Sequence, residues 1–484
     1  MNLAGADFIA LLPLLVLSAG IVVVMLVTAF HRGAGAVMGV ALLVLALALA
    51  ALPLAAGVAP RQVTPLLRID GFALAYMGLV FAATFVVVLL AWGYFRRADP
   101  QHGALYILLL LATLGSAVLV SSDHFASFML GLELLSVSLF ALIAFSRANE
   151  RSLEAGIKYL ILAGTSAAFL LFGMALVFAE TGSMIFVQIG QRLQALPGGD
   201  AFVLAGVALI LVGVGFKLAL VPFHMWTPDI YQGAPPPVAA FVATVSKGAL
   251  VAVLLRYFVS AGGYRSTTLI MLLSAIAIAS MLAGNLLALL QNNIKRILAY
   301  SSIAHLGYLL VAFLSAGPLA IEAVSYYLLA YFVAMLGAFG VIVMLSPGAL
   351  QADVERLDEY RGLFWRRPWL AGVFTAMLLS LAGIPLTMGF VAKFYAVAAG
   401  VDASLWLLVV VLVVGSAIGL FYYLRIIATM CEPIPEPREA VNTVVPTPAP
   451  AGWTLVVLTL LLFWLGIIPG PLIHWLETAV VLQP

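Results

Sequence analysis

About fourteen apolar segments, each long enough to cross a lipid bilayer, run through this chain and constrain what it can fold into. A helix crosses the hydrocarbon layer in about 20 residues, and inside that layer its backbone polar groups must bond to one another. The sequence therefore predicts an all-α polytopic membrane protein of about 14 transmembrane helices. The predicted segments are 8–30, 36–57, 71–95, 104–120, 125–145, 159–180, 202–231, 235–255, 267–290, 298–315, 319–345, 369–399, 404–424 and 453–473.

Composition excludes several other classes of protein. Of the 484 residues 65% are apolar and 9% are charged, against roughly half and a quarter in soluble domains. The net charge of +2 provides no field that would recruit nucleic acid. One cysteine, Cys431, is too few for an internal disulfide or a cysteine-ligated iron–sulfur cluster. Any chemistry must therefore lie inside the membrane or on partner proteins.

The basic residues predict the orientation of the chain. Loops that follow odd-numbered segments hold fourteen of the 22 lysines and arginines, and the other loops hold five. Because positive loops stay in the cytoplasm, we expect the odd-numbered loops there and both termini on the opposite side.

Three of the five lysines lie inside apolar segments: Lys217, Lys247 and Lys393. Each costs about 2.5–3.5 kcal/mol at the centre of a membrane helix. Glu133 is the clearest acid in the middle of a segment, and one glutamate cannot neutralise three lysines. A static ion pair that fixes helix packing is the alternative for a single pair, but intramembrane ionisable groups usually mark an ion or proton pathway.

Two segments carry residues that break helices. Pro222 lies five residues after Lys217 in GVGFKLALVPFHMWTPDIYQGAPPP (213–237). Gly383, Pro385 and Gly389 precede Lys393 in GIPLTMGFVAKFYAV (383–397). Broken helices in two separate halves are typical of transporters built from internal repeats. We therefore expect broken helices 7 and 12 and two internal five-helix repeats, at about 104–255 and about 267–424.

Two histidines are further candidates. His224 follows the break in segment 7, where it either bonds a carbonyl freed by the break or relays protons. His305, in NNIKRILAYSSIAHLGYLL (292–310), either bonds Ser301 or Ser302 or acts in the same relay. No haem motif accompanies the two histidines.

Two loops have a distinctive composition. Residues 353–367 mix both charge signs with Leu, Phe and Trp, which predicts an interfacial helix or, alternatively, a surface for docking a partner. Residues 432–452 contain six prolines and predict an extended linker before a peripheral last helix at 453–473.

Four motifs carry a resemblance to a known family. They are GLELLS around Glu133, GFKLALVPFHMWTPDIYQGAPPP around Lys217 and His224, SKGA around Lys247, and GIPLTMGFVAKF around Lys393. In these motifs the chain resembles the antiporter-like subunits of respiratory complex I, which are related to subunits of Mrp-type cation/proton antiporters. Lys393 followed by FYAV, together with the chain length, points to one particular member of that family.

The resemblance implies a single antiporter-like domain over residues 1–484, in the membrane arm of a bacterial NADH:quinone oxidoreductase. This domain would have 14 helices and two inverted five-helix repeats, with helices 7 and 12 broken. Its partners would be the other membrane-arm subunits, including related antiporter-like ones, and the lipid of the bacterial inner (cytoplasmic) membrane. The termini would be periplasmic. No cofactor would be held on this chain, since FMN, iron–sulfur clusters and quinone would belong to other subunits.

The expected function is proton translocation coupled to electron transfer from NADH to quinone in those subunits. Glu133 would modulate Lys217, the first proton store, and His224 with water would form a bridge. Lys247 would be the central carrier, His305 a further member of the relay and Lys393 the terminal store. The alternatives are an Mrp-type antiporter subunit, a membrane scaffold without transport and a transporter of organic solutes. Sodium prefers oxygen ligands, and a single mid-segment acid favours protons.

Overall fold

The computed structural model describes residues 4–30, 33–95, 103–147, 149–195, 201–316, 318–349, 351–433 and 449–480. Within these ranges the fold is built almost entirely of helices, and thirteen of them are long and apolar enough to cross a membrane. The all-α polytopic class predicted from the sequence is confirmed. The helices are Gly5–Ala10 (α1), Leu12–Phe30 (α2), Ala34–Ala56 (α3), Gly71–Phe95 (α4), Gly103–Val120 (α5), Phe125–Ile143 (α6), Glu150–Thr181 (α7), Phe186–Ala195 (α8), Ala201–Leu218 (α9), Trp226–Gly233 (α10), Pro236–Phe241 (α11), Lys247–Ser260 (α12), Thr267–Leu289 (α13), Ile294–Leu314 (α14), Pro318–Leu345 (α15), Leu363–Arg366 (α16), Pro368–Ala382 (α17), Met388–Asp402 (α18), Trp406–Cys431 (α19), Ala449–Ile467 (α20) and Gly470–Ala479 (α21).

The innermost helix is α14, whose residues are buried along its whole length. It packs against α10, α13, α15, α18 and α19. In the other half of the chain α6 and α9 both pack on α7. The ionisable side chains of the interior project from α6 (Glu133), α9 (Lys217), α12 (Lys247), α14 (His305) and α18 (Lys393).

Segment 7 is broken as predicted. Helix α9 ends at Leu218, and α10 begins at Trp226. The backbone groups that the break frees are satisfied locally, because Leu220 N donates to Gly215 O (2.8 Å) and Trp226 Nε1 donates to Phe216 O (2.9 Å). Non-helical backbone is tolerated at membrane depth only where such bonds or a wet cavity are available.

Segment 12 is broken as well, between the end of α17 at Ala382 and the start of α18 at Met388. Gly383 terminates α17 with φ +85°, a left-handed conformation that side chains disfavour. Across the break Gly389 N donates to Ser380 Oγ (3.1 Å). The sequence therefore located both breaks through their prolines and glycines.

The predicted start of segment 6 at residue 159 was wrong by nine residues, because α7 begins at Glu150. The side chain of Asn149 caps the helix by accepting a hydrogen bond from Arg151 N (3.1 Å). The first turns of α7 are polar, so a search for apolar residues does not detect them.

Residues 353–367 do not form the predicted interfacial helix. They contain a 3₁₀ turn at Leu357–Tyr360 and the single-turn α16, separated by Gly362 with φ +68°. The left-handed glycine prevents one continuous helix. A two-stranded antiparallel hairpin, Arg61–Thr64 (β1) with Leu67–Ile69 (β2), was not predicted.

The predicted linker 432–452 lies outside the described residues from 434 to 448. The last predicted segment, 453–473, is two helices, α20 and α21, and α20 packs on α15 and α18. Four arginines counted for the orientation, Arg32, Arg96, Arg97 and Arg438, also lie outside the described residues.

Candidate functional site

The three intramembrane lysines are all buried, with 6%, 1% and 9% of their surface exposed for Lys217, Lys247 and Lys393. Each ammonium group donates a hydrogen bond to an uncharged oxygen. Within the described residues none of the three forms an ion pair with a carboxylate. An ammonium held only by neutral dipoles is a charge that the protein can relinquish at lower cost than one fixed in an ion pair.

Lys217 lies in the last turn of α9, where the partial negative charge of the helix C-terminus favours a cation. Its Nζ donates to Ser136 Oγ (2.6 Å) and lies 5.8 Å from the centre of the Tyr159 ring. Ser136 is three residues after Glu133 on α6, so the two side chains lie near each other on that helix.

Glu133 interacts electrostatically with Lys217 without forming an ion pair. Its Oε1 atom is buried and has no hydrogen-bond partner. The arrangement is therefore one in which the acid and the base are close but separated. A change of side-chain rotamer would suffice to alter their interaction.

Lys247 follows a five-residue π-helical turn, Val242–Ser246, which separates α11 from α12. Such π turns are rare and are frequently found at functional sites. The Lys247 Nζ donates to Ser302 Oγ (2.6 Å), and Tyr331 OH donates to the same oxygen (2.7 Å). Tyr231 lies at 3.3 Å from Ser302 Oγ, with its ring 5.4 Å from the Lys247 ammonium.

His305 shares hydrogen bonds with two tyrosines, through Nδ1 with Tyr327 OH (2.7 Å) and through Nε2 with Tyr423 OH (3.3 Å). Tyr423 OH also bonds Ser301 Oγ. Of the two alternatives left open for His305, the direct bond to Ser301 or Ser302 is not formed, because both ring nitrogens bond tyrosines of α15 and α19.

Lys393 reaches back from α18 to the end of α17, where its Nζ donates to Ala382 O (2.9 Å). The C-terminus of α17 thus favours this cation, as the end of α9 favours Lys217. A Cβ atom at Gly383 would lie 2.8 Å from Lys393 Cδ, so the glycine also leaves room for the lysine. The ammonium lies 5.1 Å from the centre of the Tyr308 ring, and Tyr308 OH accepts from Asn285 Nδ2 (2.7 Å).

Three of the predicted residues are joined through contacts that the sequence did not reveal. Tyr331, which bonds Ser302 beside Lys247, has its ring 5.7 Å from the His305 ring. His305 in turn lies 5.5 Å from Tyr308, the ring beneath Lys393. Lys247, His305 and Lys393 therefore belong to one polar row.

His224 is not bonded to that row within the described residues. It lies in the break of segment 7 and is 8% exposed. Neither ring nitrogen makes a hydrogen bond of ordinary geometry, although the backbone of Pro222 lies close enough to interact with the ring. The ring can accept or donate a hydrogen bond, as a bridge through water would require.

The residues that sequence reasoning missed are tyrosine and amide side chains: Tyr231, Asn285, Tyr308, Tyr327, Tyr331 and Tyr423. The signal was the YYLLAY sequence of α15 and the YY pair of α19, since a buried tyrosine hydroxyl needs a partner. Ser302 was considered only as a partner of His305, and it bonds Lys247 instead.

Other charged clusters are static ion pairs near the ends of the helices. Lys158 pairs with Glu154 (2.7 Å) and Asp229 (2.9 Å), in keeping with an anchoring role. Arg256 binds Asp70 through two hydrogen bonds of 2.7 and 2.8 Å. Burial acts to raise the pKa of Asp70, but the charge of Arg256 outweighs it and holds that pKa below its usual range.

A cavity of about 540 Å³ lies beside the row, between α9, α12, α13 and α14. Among the described residues its lining is almost entirely aliphatic and aromatic, and Arg265 is the one charged residue. It therefore offers no ionisable steps through the membrane. In the part of the chain that the structure describes, no group of three His, Cys, Asp or Glu side chains could hold a metal ion.

A family match and two similar proteins point to the same family. Residues 122–419, more than half of the chain, match the family described as "NADH:quinone oxidoreductase/Mrp antiporter, TM". The chain is 60% identical over 488 residues to NADH-quinone oxidoreductase subunit N of Nitrosospira multiformis, covering 98% of this chain and 96% of that protein. It is 50% identical over 468 residues to subunit N of Methylococcus capsulatus, covering 96% and 93%.

Two solved structures contain chains with the same fold as this one. A chain of respiratory complex I from Thermus thermophilus with bound aureothin superposes with a TM-score of 0.81 at 34% identity, covering 96% of this chain and 98% of that one. A chain of the Mrp complex from Dietzia sp. DQ12-45-1b superposes with a TM-score of 0.84 at 20% identity, covering 98% and 97%. The second likeness shows a shared fold alone.

Fold and interior together define a polytopic all-α membrane protein in which buried ionisable side chains connect two broken helices. The relatives of the chain narrow this class of protein to one family. It is the family that the motifs around Glu133, Lys217, Lys247 and Lys393 resemble. The chain belongs to the NADH:quinone oxidoreductase/Mrp antiporter family, and within it to the subunit N group of NADH-quinone oxidoreductase.

Proposed function

We propose that this chain translocates protons as a membrane-arm subunit of NADH:quinone oxidoreductase, driven by electron transfer from NADH to quinone in other subunits. The observation that carries the proposal is the set of three buried lysines bonded only to uncharged oxygens. A scaffold would gain stability from apolar side chains at these positions.

The energetics of a lysine relay are sufficient. Moving one proton against about 150–200 mV costs about 3.5–4.6 kcal/mol. That equals a swing of about 3 units in proton affinity, and burial and charge pairing shift lysines in proteins by 3–5 units. Switching a lysine between a paired and an unpaired environment therefore supplies enough free energy for one proton.

We assign the roles from the geometry. Glu133 modulates Lys217, because the two are close and unbonded. Lys217 is the first store, and His224 with water bridges the break in segment 7. Lys247 is the central carrier, His305 connects it to the far half through tyrosines, and Lys393 is the terminal store.

The remaining parts of the proposal concern the setting of the chain. The two five-helix repeats would run over about 104–255 and about 267–424, each with one broken helix. The odd-numbered loops would face the cytoplasm, with both termini on the periplasmic side of the bacterial inner membrane. FMN, iron–sulfur clusters and the quinone site would lie on other subunits. Cation/proton antiport is less well supported, because in the described part of the chain Glu133, beside Lys217, is the one carboxylate that interacts with any of the three intramembrane lysines, and sodium prefers oxygen ligands.

The test uses the assembled complex in inside-out membrane vesicles. Lys217→Met and Glu133→Gln should each lower NADH-driven proton pumping per complex at least roughly tenfold, the effect of one charged hydrogen bond or ion-pair partner lost in a buried site. Arg265→Gln, an exposed residue bonded to Gln194, is the control and should pump normally. Normal pumping stoichiometry in both test variants would remove this chain from the proton pathway.

A further inference from the structure

Three helices bring polar side chains to one buried serine of a fourth helix, α14. Ser302 of α14 has no exposed surface. Its Oγ atom receives the Lys247 ammonium from α12 (2.6 Å) and the Tyr331 hydroxyl from α15 (2.7 Å). Tyr231, on the half-helix α10 of the broken segment 7, lies 3.3 Å away.

The hydrogen-bond capacity of a hydroxyl group fixes how these partners can be arranged. A serine hydroxyl has two acceptor lone pairs and one hydrogen, while an ammonium group donates only. With Lys247 charged, the ammonium and Tyr331 occupy both lone pairs of Ser302. Among the residues that the structure describes, the Ser302 hydrogen then has one remaining partner, the oxygen of Tyr231.

Loss of a proton from Lys247 changes this arrangement. A neutral amine has a lone pair of its own and can accept a hydrogen bond. The Ser302 hydrogen can then turn from Tyr231 to Lys247 Nζ, and Tyr231 can donate to Ser302 in its place. No covalent bond of Ser302 changes, and the proton count of the cluster differs only by the proton that Lys247 has lost.

We propose that Ser302 is a positioning residue whose hydroxyl orientation follows the protonation state of Lys247 and transmits that state to the broken helix 7. This inference rests on the proposed function, in which Lys247 is the central carrier. Ser302 takes the place of a counter-ion for the charged lysine, and Tyr231 is the group through which α10 senses the change.

Ser302, Tyr231 and Tyr331 are the groups around Lys247 that set its charge, because the acids on neighbouring helices interact with other residues. Helix α14, which carries Ser302, and the elements packed against α11, the π turn and α12 hold the titratable and charged residues around Lys247, together with α12 itself. They are Tyr76 and Tyr94 (α4), Tyr106 (α5), Glu133 (α6), Arg192 (α8), Lys217 (α9), Asp229 and Tyr231 (α10), Arg256 and Tyr257 (α12), Tyr264 and Arg265 (the 3₁₀ turn Gly263–Arg265), Lys295, Arg296, Tyr300, His305 and Tyr308 (α14), and Glu322, Tyr326, Tyr327 and Tyr331 (α15). Of the three acids, Asp229 pairs with Lys158 and Arg296, Glu133 interacts with Lys217 and Glu322 interacts with Glu477.

The experiment compares Ser302→Ala with Ser302→Thr in the assembled complex, measuring NADH-driven pumping per complex against pH. Without the hydroxyl, the charged form of Lys247 loses its acceptor. Ser302→Ala should therefore lower pumping roughly tenfold and move the alkaline limb of the profile about one pH unit lower, as expected for one lost hydrogen bond to a charge. Ser302→Thr keeps the hydroxyl, so it should retain both the wild-type pumping rate and the wild-type position of the alkaline limb.

Two further variants make the test specific. Ser325→Ala removes another buried serine hydroxyl, bonded to Tyr76 OH (2.9 Å) but not to a lysine, and should leave rate and profile unchanged. Tyr231→Phe removes the oxygen that receives the Ser302 hydrogen and should shift the alkaline limb in the same direction by a smaller amount. If Ser302→Ala reduces assembly of the complex, the pumping profile of Tyr231→Phe alone tests the inference.

The outcomes separate this inference from the proposed function. If Lys247→Met abolishes pumping while Ser302→Ala or Tyr231→Phe retains the wild-type profile, the inference is overturned and the proposed function stands. A loss in Ser302→Ala that threonine fails to restore also overturns it. Normal pumping in Lys247→Met overturns the proposed function itself.

Discussion

Each intramembrane lysine meets an uncharged oxygen: Ser136 Oγ for Lys217, Ser302 Oγ for Lys247 and Ala382 O for Lys393. Lysines are rare in membrane segments, so Lys217, Lys247 and Lys393 stood out, and all three are buried. Hydroxyl groups are common there, because they bond the carbonyl one turn earlier, as Ser138 Oγ does with Leu134 O (2.8 Å). Which serine meets a lysine depends on tertiary packing, so Ser302 could not be distinguished from Ser138 by sequence alone.

At this scale the sharpest prediction concerns Lys247→Arg. Arginine retains the positive charge but does not release its proton in the useful range. A carrier at position 247 must release protons, so we expect pumping to fall at least roughly tenfold, the size of effect found for a lost general acid or base. The measurement is pumping per complex in vesicles, with subunit content determined on native gels.

Lys158→Arg is the matched control for that variant. Lys158 is half exposed and sits in static pairs with Glu154 and Asp229, which arginine can also form. We expect this variant to pump normally. Unimpaired pumping by Lys247→Arg would instead identify Lys247 as a structural cation.

The elements of the fold were predictable where one physical cause dominates. Apolar length locates spans such as α4, whose predicted and observed bounds coincide. Proline and glycine located both breaks, because each removes a helical hydrogen bond or adopts a left-handed φ. The π turn before Lys247, the polar start of α7 and the hairpin β1–β2 were missed, since they depend on local hydrogen bonds that leave no apolar pattern.

The break in segment 12 gives a prediction about a single glycine. In Gly383→Ala the residue would have to keep φ +85°, and its Cβ would lie 2.8 Å from Lys393 Cδ. Strain of this kind costs about 1–3 kcal/mol. We therefore expect a lower midpoint of thermal unfolding for the purified complex and weaker pumping, because Lys393 must move away from Ala382 O.

Gly372→Ala, on the same helix α17, provides the comparison. A Cβ there would meet no atom within 4 Å, and alanine is the better helix former. This variant should retain the wild-type midpoint and pumping. If Gly383→Ala also retained the wild-type midpoint and pumping, the break would tolerate a side chain at position 383.

Taken as a whole, the molecule places its two breaks on either side of a buried row, with Lys217 beside one break and Lys393 beside the other. Contacts through Ser302, Tyr331, His305 and Tyr308 join Lys247 to Lys393. Tyr159, next to Lys217, has its ring 5.3 Å from Trp226 of α10, the half-helix that also carries Tyr231. Such an arrangement supports one path in series rather than two independent paths.

One proton path through both lysines and two parallel paths predict different pumping when substitutions of Lys217 and Lys393 are combined. If Lys217 and Lys393 lie on one path, Lys217→Met and Lys393→Met should each reduce pumping to the same residual level. The double variant should then be no worse than either single one, since residues that act as a unit are strongly non-additive. Two parallel paths would leave about half of the pumping in each single variant and none in the double. Pumping per complex, measured in all four forms at one membrane potential, distinguishes the two, and an additive result would mean that the two breaks serve separate routes.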